Sequence, residues 1–246
     1  MRVEQREGIR GSLKWIQRAV GERWSSLDGP IIRRIGGEPS ISWLSPQAKD
    51  RYAEYRDSSF LRLIGHHSLA SALDDYWPAR GPQWDALGKT SRGDVVLVEA
   101  KAHVAELCSP GTSASPRSRV RIERTLEELA VRLGAKAKHA PWSEYFYQLA
   151  NRLAHLHFLR ANGVPSWLVF VNFLGDREMG GPTTIEAWEA AYEVAFHVMG
   201  LPRSNPLSPF VIHVYPIVSG EHDLERGEAN GRSNLYPSRR KGADAG

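Results

Sequence analysis

The chain has 246 residues, 41% hydrophobic and 24% charged, with a net charge of +4. This composition is ordinary for a soluble globular protein, and no apolar run approaches the ~20 residues that span a bilayer. Cys108 stands alone, which excludes an internal disulfide. With no apolar leader at the N-terminus, it leads us to expect a reducing, cytoplasmic setting without a membrane partner. Trp15, Ile16, Ala19, Val20 and Arg23 have helical spacing and predict a helix over residues 12–24, followed by a Gly/Pro-rich connector over 28–39. Ser45-Pro46 reads as the N-cap and first position of a helix over 47–63, with Tyr52, Tyr55, Ser59 and Leu63 on one stripe. Gly65 ends that helix, and residues 68–76 make another before Pro78. Residues 82–103 read as a β-hairpin, and the Ser/Pro/Gly-rich stretch 109–118 as a surface loop. Helices follow over 119–133 and 142–162, the second closed by Gly163 and Pro165. The apolar run 167–174 predicts a buried strand, 183–199 a helix, and 210–218 an edge strand on account of Pro216.

The order of helices, hairpin, helices, strand, helix and strand predicts an α/β (α+β) domain with a mixed sheet of four or five strands. We expect a helical extension over 1–45, a main domain over 46–220 and a disordered tail over 221–246.

The hairpin concentrates the chemistry. On its second arm the strand period places Val95, Leu97, Glu99, Lys101 and His103 on one face and Val96, Val98, Ala100 and Ala102 on the other. Glu99 and Lys101 then project side by side, with Asp85 on the preceding arm. Among the lysines of the chain only Lys101 has a carboxylate two positions before it. Two carboxylates suit a Mg²⁺ ion, and the carbonyl of Ala100 adds a third oxygen. Lys101 suits charge neutralisation or orientation of a water. A strand-edge salt bridge with Asp85 as a turn residue explains the same spacing.

Pro82, Asp85 and Glu99-Ala100-Lys101 resemble the core motif of the PD-(D/E)XK nuclease superfamily, with the departure that Gln83 and Trp84 separate Pro82 from Asp85. The resemblance covers about 80 residues, from Pro46 into the helix that begins near Trp142. It implies a restriction-endonuclease-like αβββαβ core and Mg²⁺-dependent hydrolysis of DNA, Mn²⁺ serving as a substitute. It also implies Asp85 and Glu99 as metal ligands and Lys101 as the catalytic lysine. By the same resemblance Glu54, with Asp57 in reserve, is an accessory acid on the helix before the hairpin, and Gln148 an accessory on the helix after it. The Gln-then-Tyr pattern of the exonuclease branch is not met, because Arg152 holds the position four after Gln148. A module that binds nucleic acid or assembles without turnover is the alternative, and a homo-oligomer is compatible with either.

The remaining signals are weaker. Tyr145, Gln148, Arg152 and His155 form a polar stripe beside Leu149, Leu153 and Leu156, suited to a solvated face or to a phosphate contact. The arginines of 117–124 are a candidate phosphate clamp. His103, aimed with Glu99 and Lys101 by the strand period, suits a phosphate contact or a proton shuttle, or a hydrogen-bonded strand-end histidine. His66-His67 and His155/His157 lack the spacing of a zinc site, and no Gly-x-Ser-x-Gly or P-loop pattern occurs.

Overall fold

The computed structural model describes residues 1–21, 27–37 and 40–218. The predicted tail, 221–246, and the end of the first predicted helix lie outside the described residues. Among the described residues seven strands form two sheets: β1 (Arg2–Val3), β2 (Ile41–Ser45), β3 (Glu54–Tyr55), β4 (Ala86–Thr90), β5 (Val95–Lys101), β6 (Ser166–Asn172) and β7 (Val211–Val214). The main sheet has the order β2-β4-β5-β6-β7, antiparallel across β2, β4 and β5 and parallel from β5 to β7. The expected mixed sheet of four or five strands is therefore present with five. Strands β1 and β3 make a separate antiparallel pair.

The hairpin forms because its turn chemistry and its alternation agree. Gly93 takes a φ of 90°, which favours glycine, and its amide donates to the Thr90 carbonyl at 2.8 Å. The Asp94 amide donates to Thr90 Oγ1 at 3.1 Å, closing the reversal. Strand β5 sits between β4 and β6 with helices over both faces, so all seven of its residues are buried. Val96, Val98, Ala100 and Ala102 pack with Trp15, Ile16, Ala19 and Val20 of α1 (Gly11–Val20). Val95 and Leu97 join the larger core, with α5 (Pro116–Arg132), α6 (Tyr147–Ala161) and α7 (Ile185–Val198). Each fully buried Val or Leu contributes about 1.5–3 kcal/mol relative to exposure. Four such side chains on β5 hold in place a strand that also buries Glu99 and Lys101.

Three sequence expectations are corrected. Residues 28–35 of the predicted connector form a helix, α2 (Asp28–Ile35), whose Ile31 and Ile35 are buried; Gly36, at φ 79°, ends it. The predicted helix over 47–63 is broken up. Ser45 ends β2 instead of capping a helix, Ala48–Asp50 is a single 3₁₀ turn, and only α3 (Asp57–Leu63) is helical, followed by α4 (Ala70–Tyr76). Arg51, Tyr52 and Asp57 have φ of 50–53°, which interrupts any continuous helix, and Glu54-Tyr55 is drawn into strand pairing between. The predicted helix over 142–162 begins only at Tyr147. Phe146 has φ 53°, and the Trp142 indole is anchored in the core by donating to the Met199 carbonyl at 2.8 Å.

Candidate active site

Glu99 and Lys101 leave the same face of β5, as the strand period requires, and meet directly: Lys101 Nζ lies 2.5 Å from Glu99 Oε1. From α6, which crosses this face, Gln148 Oε1 accepts a second bond from Lys101 Nζ at 2.9 Å. One helical turn later Arg152 reaches the other oxygen of Glu99, with Nε at 2.6 Å and Nη2 at 2.5 Å from Oε2. The guanidinium also donates to the Gln83 carbonyl at 3.0 Å and to Asn151 Oδ1 at 2.8 Å, and it lies 5.1 Å over the Trp84 ring. Glu99, Lys101 and Arg152 are all about 95% or more buried, with relative exposures of 3%, 5% and 5%. A buried charge is tolerated only when paired, and these three satisfy one another.

Asp85 stands immediately before β4, across from Glu99, and its Oδ2 accepts the Ala100 amide at 2.7 Å. Amide and carbonyl of a strand residue point to the same edge, so the Ala100 carbonyl is directed toward the side that Asp85 occupies. Glu54 arrives by a different route from the expected one. It lies on β3, not on a helix, and the Trp84 amide donates to the neighbouring Tyr55 carbonyl at 3.1 Å, so β3 docks beside the entry to β4. Glu54 Oε2 accepts from Gln83 Nε2 at 2.5 Å and from Gln5 Nε2 at 3.0 Å, and the side chain is buried.

The electrostatics are uneven across the three acids. Burial pushes the Asp85 carboxyl well above the usual carboxylate range, and the charges of Glu99 and Glu54 push it further. Burial likewise raises Glu54, against the hydrogen bonds from Gln83 and Gln5. For Glu99 burial acts upward, but Arg152 and Lys101 together outweigh it and hold the group below its ordinary value. Three carboxylates thus face two cations. Burial favours the neutral forms of Asp85 and Glu54, and their hard oxygen donors fit a divalent cation of the Mg²⁺ type, whose charge would favour their ionised forms. Asp85 and the Ala100 carbonyl would hold it, but Glu99 has a cation on each of its oxygens and would join only where Arg152 gives up Oε2. Among the described residues, no group of three or more acidic, histidine or cysteine side chains is already arranged around one point.

Of the residues singled out from the sequence, Asp85, Glu99, Lys101, Gln148 and Glu54 converge on this site. Asp57 does not: its carboxylate accepts from the Gly81 amide at 2.8 Å and the Arg80 amide at 3.2 Å, which fixes that loop. His103 turns away to Glu106, 3.2 Å distant. The polar stripe of α6 is not a solvated face. Gln148 and Arg152 enter the site, and His155 is buried against Phe60, Tyr76, Trp77 and Trp84. Tyr145 precedes the helix and is exposed. The arginines of 117–124 are largely committed to neighbours. Arg119 donates to the Thr112 carbonyl, Arg121 to that of Asp74, and Arg124 faces Glu128. Arg152 and Gln83 are the participants that spacing alone left unassigned, although Arg152, four residues after Gln148, was marked by its shared helical face.

Among the described residues, no helix is long and apolar enough to cross a membrane. No protein-family model, no curated protein and no solved structure matches the chain.

Proposed function

We propose that this protein is a metal-dependent nuclease of the cytoplasm that hydrolyses phosphodiester bonds, with DNA as substrate. The observation that carries the reading is the buried Lys101 ammonium, fixed between Glu99 and Gln148 one strand away from Asp85. The order α2, β2, β4, β5, α6, β6 supports reading the core as the restriction-endonuclease-like αβββαβ arrangement, with β3, α3 and α4 inserted after its first strand and α5 inserted before α6. Hydrolysis of a phosphodiester builds negative charge on the phosphate oxygens and needs a positioned water. Lys101, a compact cation held in one place by Glu99 and Gln148, stabilises that charge and orients the water. Asp85 and the Ala100 carbonyl, joined by Glu99 where Arg152 gives up Oε2, would hold Mg²⁺ or Mn²⁺, which when bound supplies Lewis-acid polarisation of the phosphate and a more acidic water.

One observation favours a second reading. Both Glu99 oxygens are already held by cations, as suits a module that binds nucleic acid without turnover. Plasmid nicking with Mg²⁺ or Mn²⁺ separates the two. Under the nuclease reading wild type cleaves, and Asp85→Ala and Lys101→Ala, checked for folding by circular dichroism, each lower the rate about 10²–10³-fold. Cleavage untouched by both substitutions sinks the nuclease assignment, and binding without cleavage by wild type supports the second reading.

A further inference from the structure

Gln148 and Arg152 belong to two places at once. They contact Lys101 and Glu99, and they also line a cavity of about 580 Å³ to which Asp85, Glu99 and Lys101 do not contribute. One wall is the segment 77–83, the other is the loop 109–115 with the start of α5, and α6 lies between them. The size is that of a small-molecule site. Its chemistry is one-sided: five serine and threonine residues, three side-chain amides and two arginines line it, and no carboxylate does. In a chain with 28 Asp and Glu residues, such an acid-free lining selects an anion. Tyr147, which is partly exposed, adds a flat surface of the kind on which a nucleobase stacks, and the buried Trp77 backs the wall behind it. The first wall is held in place, because Asp57 ties down the Arg80 and Gly81 amides.

We infer that this cavity binds a single nucleotide through its phosphate, and that Arg152 is the residue its occupant shares with Glu99. An anion in the cavity competes with Glu99 for the guanidinium, so occupancy of the cavity loosens the grip of Arg152 on Oε2. If the nuclease reading holds, the occupant is a nucleotide unit of the strand next to the bond being cut. The binding itself does not depend on that reading.

Calorimetric titration of the full chain without metal tests it, with dTMP, thymidine and inorganic phosphate as probes. We expect saturable dTMP binding, with thymidine and phosphate each at least about tenfold weaker, since each lacks one of the two contacts. Ser113, exposed on the loop, lines the cavity, and Ser113→Trp fills it without touching the core; it is expected to weaken dTMP at least about tenfold. Arg80→Asn keeps a residue suited to the φ of 70° there and removes an exposed charge, for an expected loss of about two- to fivefold. Absence of saturable binding at millimolar dTMP, equal binding of thymidine or phosphate, or dTMP affinity unchanged in Ser113→Trp overturns the inference. Loss of plasmid cleavage with dTMP binding intact removes the nuclease reading alone; cleavage without dTMP binding removes the inference alone.

Discussion

The ion triad of Glu99, Lys101 and Arg152 makes a quantitative claim about stability. Glu99 and Arg152 are 3% and 5% exposed, and two guanidinium nitrogens lie 2.5 and 2.6 Å from one carboxylate oxygen. Removing one partner of such a pair leaves the other charge buried and uncompensated, at a cost of about 3–5 kcal/mol. Glu99→Gln strands two cations, Lys101 and Arg152, and belongs at the upper end. Arg152→Met leaves Glu99 still paired with Lys101 and belongs at the lower end. A domain of this size loses about 2–4 °C of Tm per kcal/mol, so the single variants fall by about 6–20 °C. Ordinary domain stabilities of about 5–15 kcal/mol leave room for both to remain folded in water. In the double variant Glu99→Gln/Arg152→Met the uncompensated guanidinium is gone, so its cost is smaller than the sum of the singles by at least about 1.5 kcal/mol. Urea unfolding of the four proteins measures this coupling directly. Additivity within about 0.5 kcal/mol means that Arg152 and Glu99 do not depend on each other in solution and refutes the closed triad.

Two further outcomes follow from the same structure. Burial pulls the His155 imidazole down to about 3, opposed by its bond to the Asn151 carbonyl and assisted by the Arg152 charge. Its folded value lies below its unfolded one, so the unfolded state binds the extra proton and stability is lost as pH falls from about 6.5 toward 3. His155→Gln removes this dependence, so between pH 6 and 4 the wild type loses about 1.4 kcal/mol per pH unit more than the variant in urea midpoints taken across pH. Parallel slopes contradict the burial of that ring. At Gly181 a Cβ would sit 2.2 Å from the Ala102 carbonyl oxygen, one residue past Lys101. Gly181→Ala therefore displaces backbone beside the site and lowers Tm by about 2–12 °C in calorimetry, and an unchanged Tm refutes the close approach.

What the sequence determined by itself is what local periodicity can carry. The alternation of 95–103 separated Glu99 and Lys101 from an aliphatic face, and over β5 this sorting holds, with Glu99 and Lys101 in contact, while His103, past the strand end, pairs with Glu106 instead. The apolar run of β6 and the bodies of α5 and α7 were equally legible, because their side chains are sorted by a fixed repeat, although α5 begins at Pro116, inside the stretch expected as a loop. The segment 47–63 failed for the same reason in reverse. Its apolar residues fit a helical stripe, but pairing of β3 with β1 and with Trp84 outweighed local preference and set Glu54 on a strand. No local repeat encodes a partner 53 residues away, so whether the carboxylate of Glu99 belongs to Lys101 alone was decided only by tertiary packing. Crossing of α6 over β5 brought Arg152 onto the second oxygen and turned a two-residue motif into a closed, buried triad. The same crossing gave Gln148 and Arg152 a second exposure to the acid-free cavity, because a helix lying across a strand presents its side chains both to the sheet and to the space beside it.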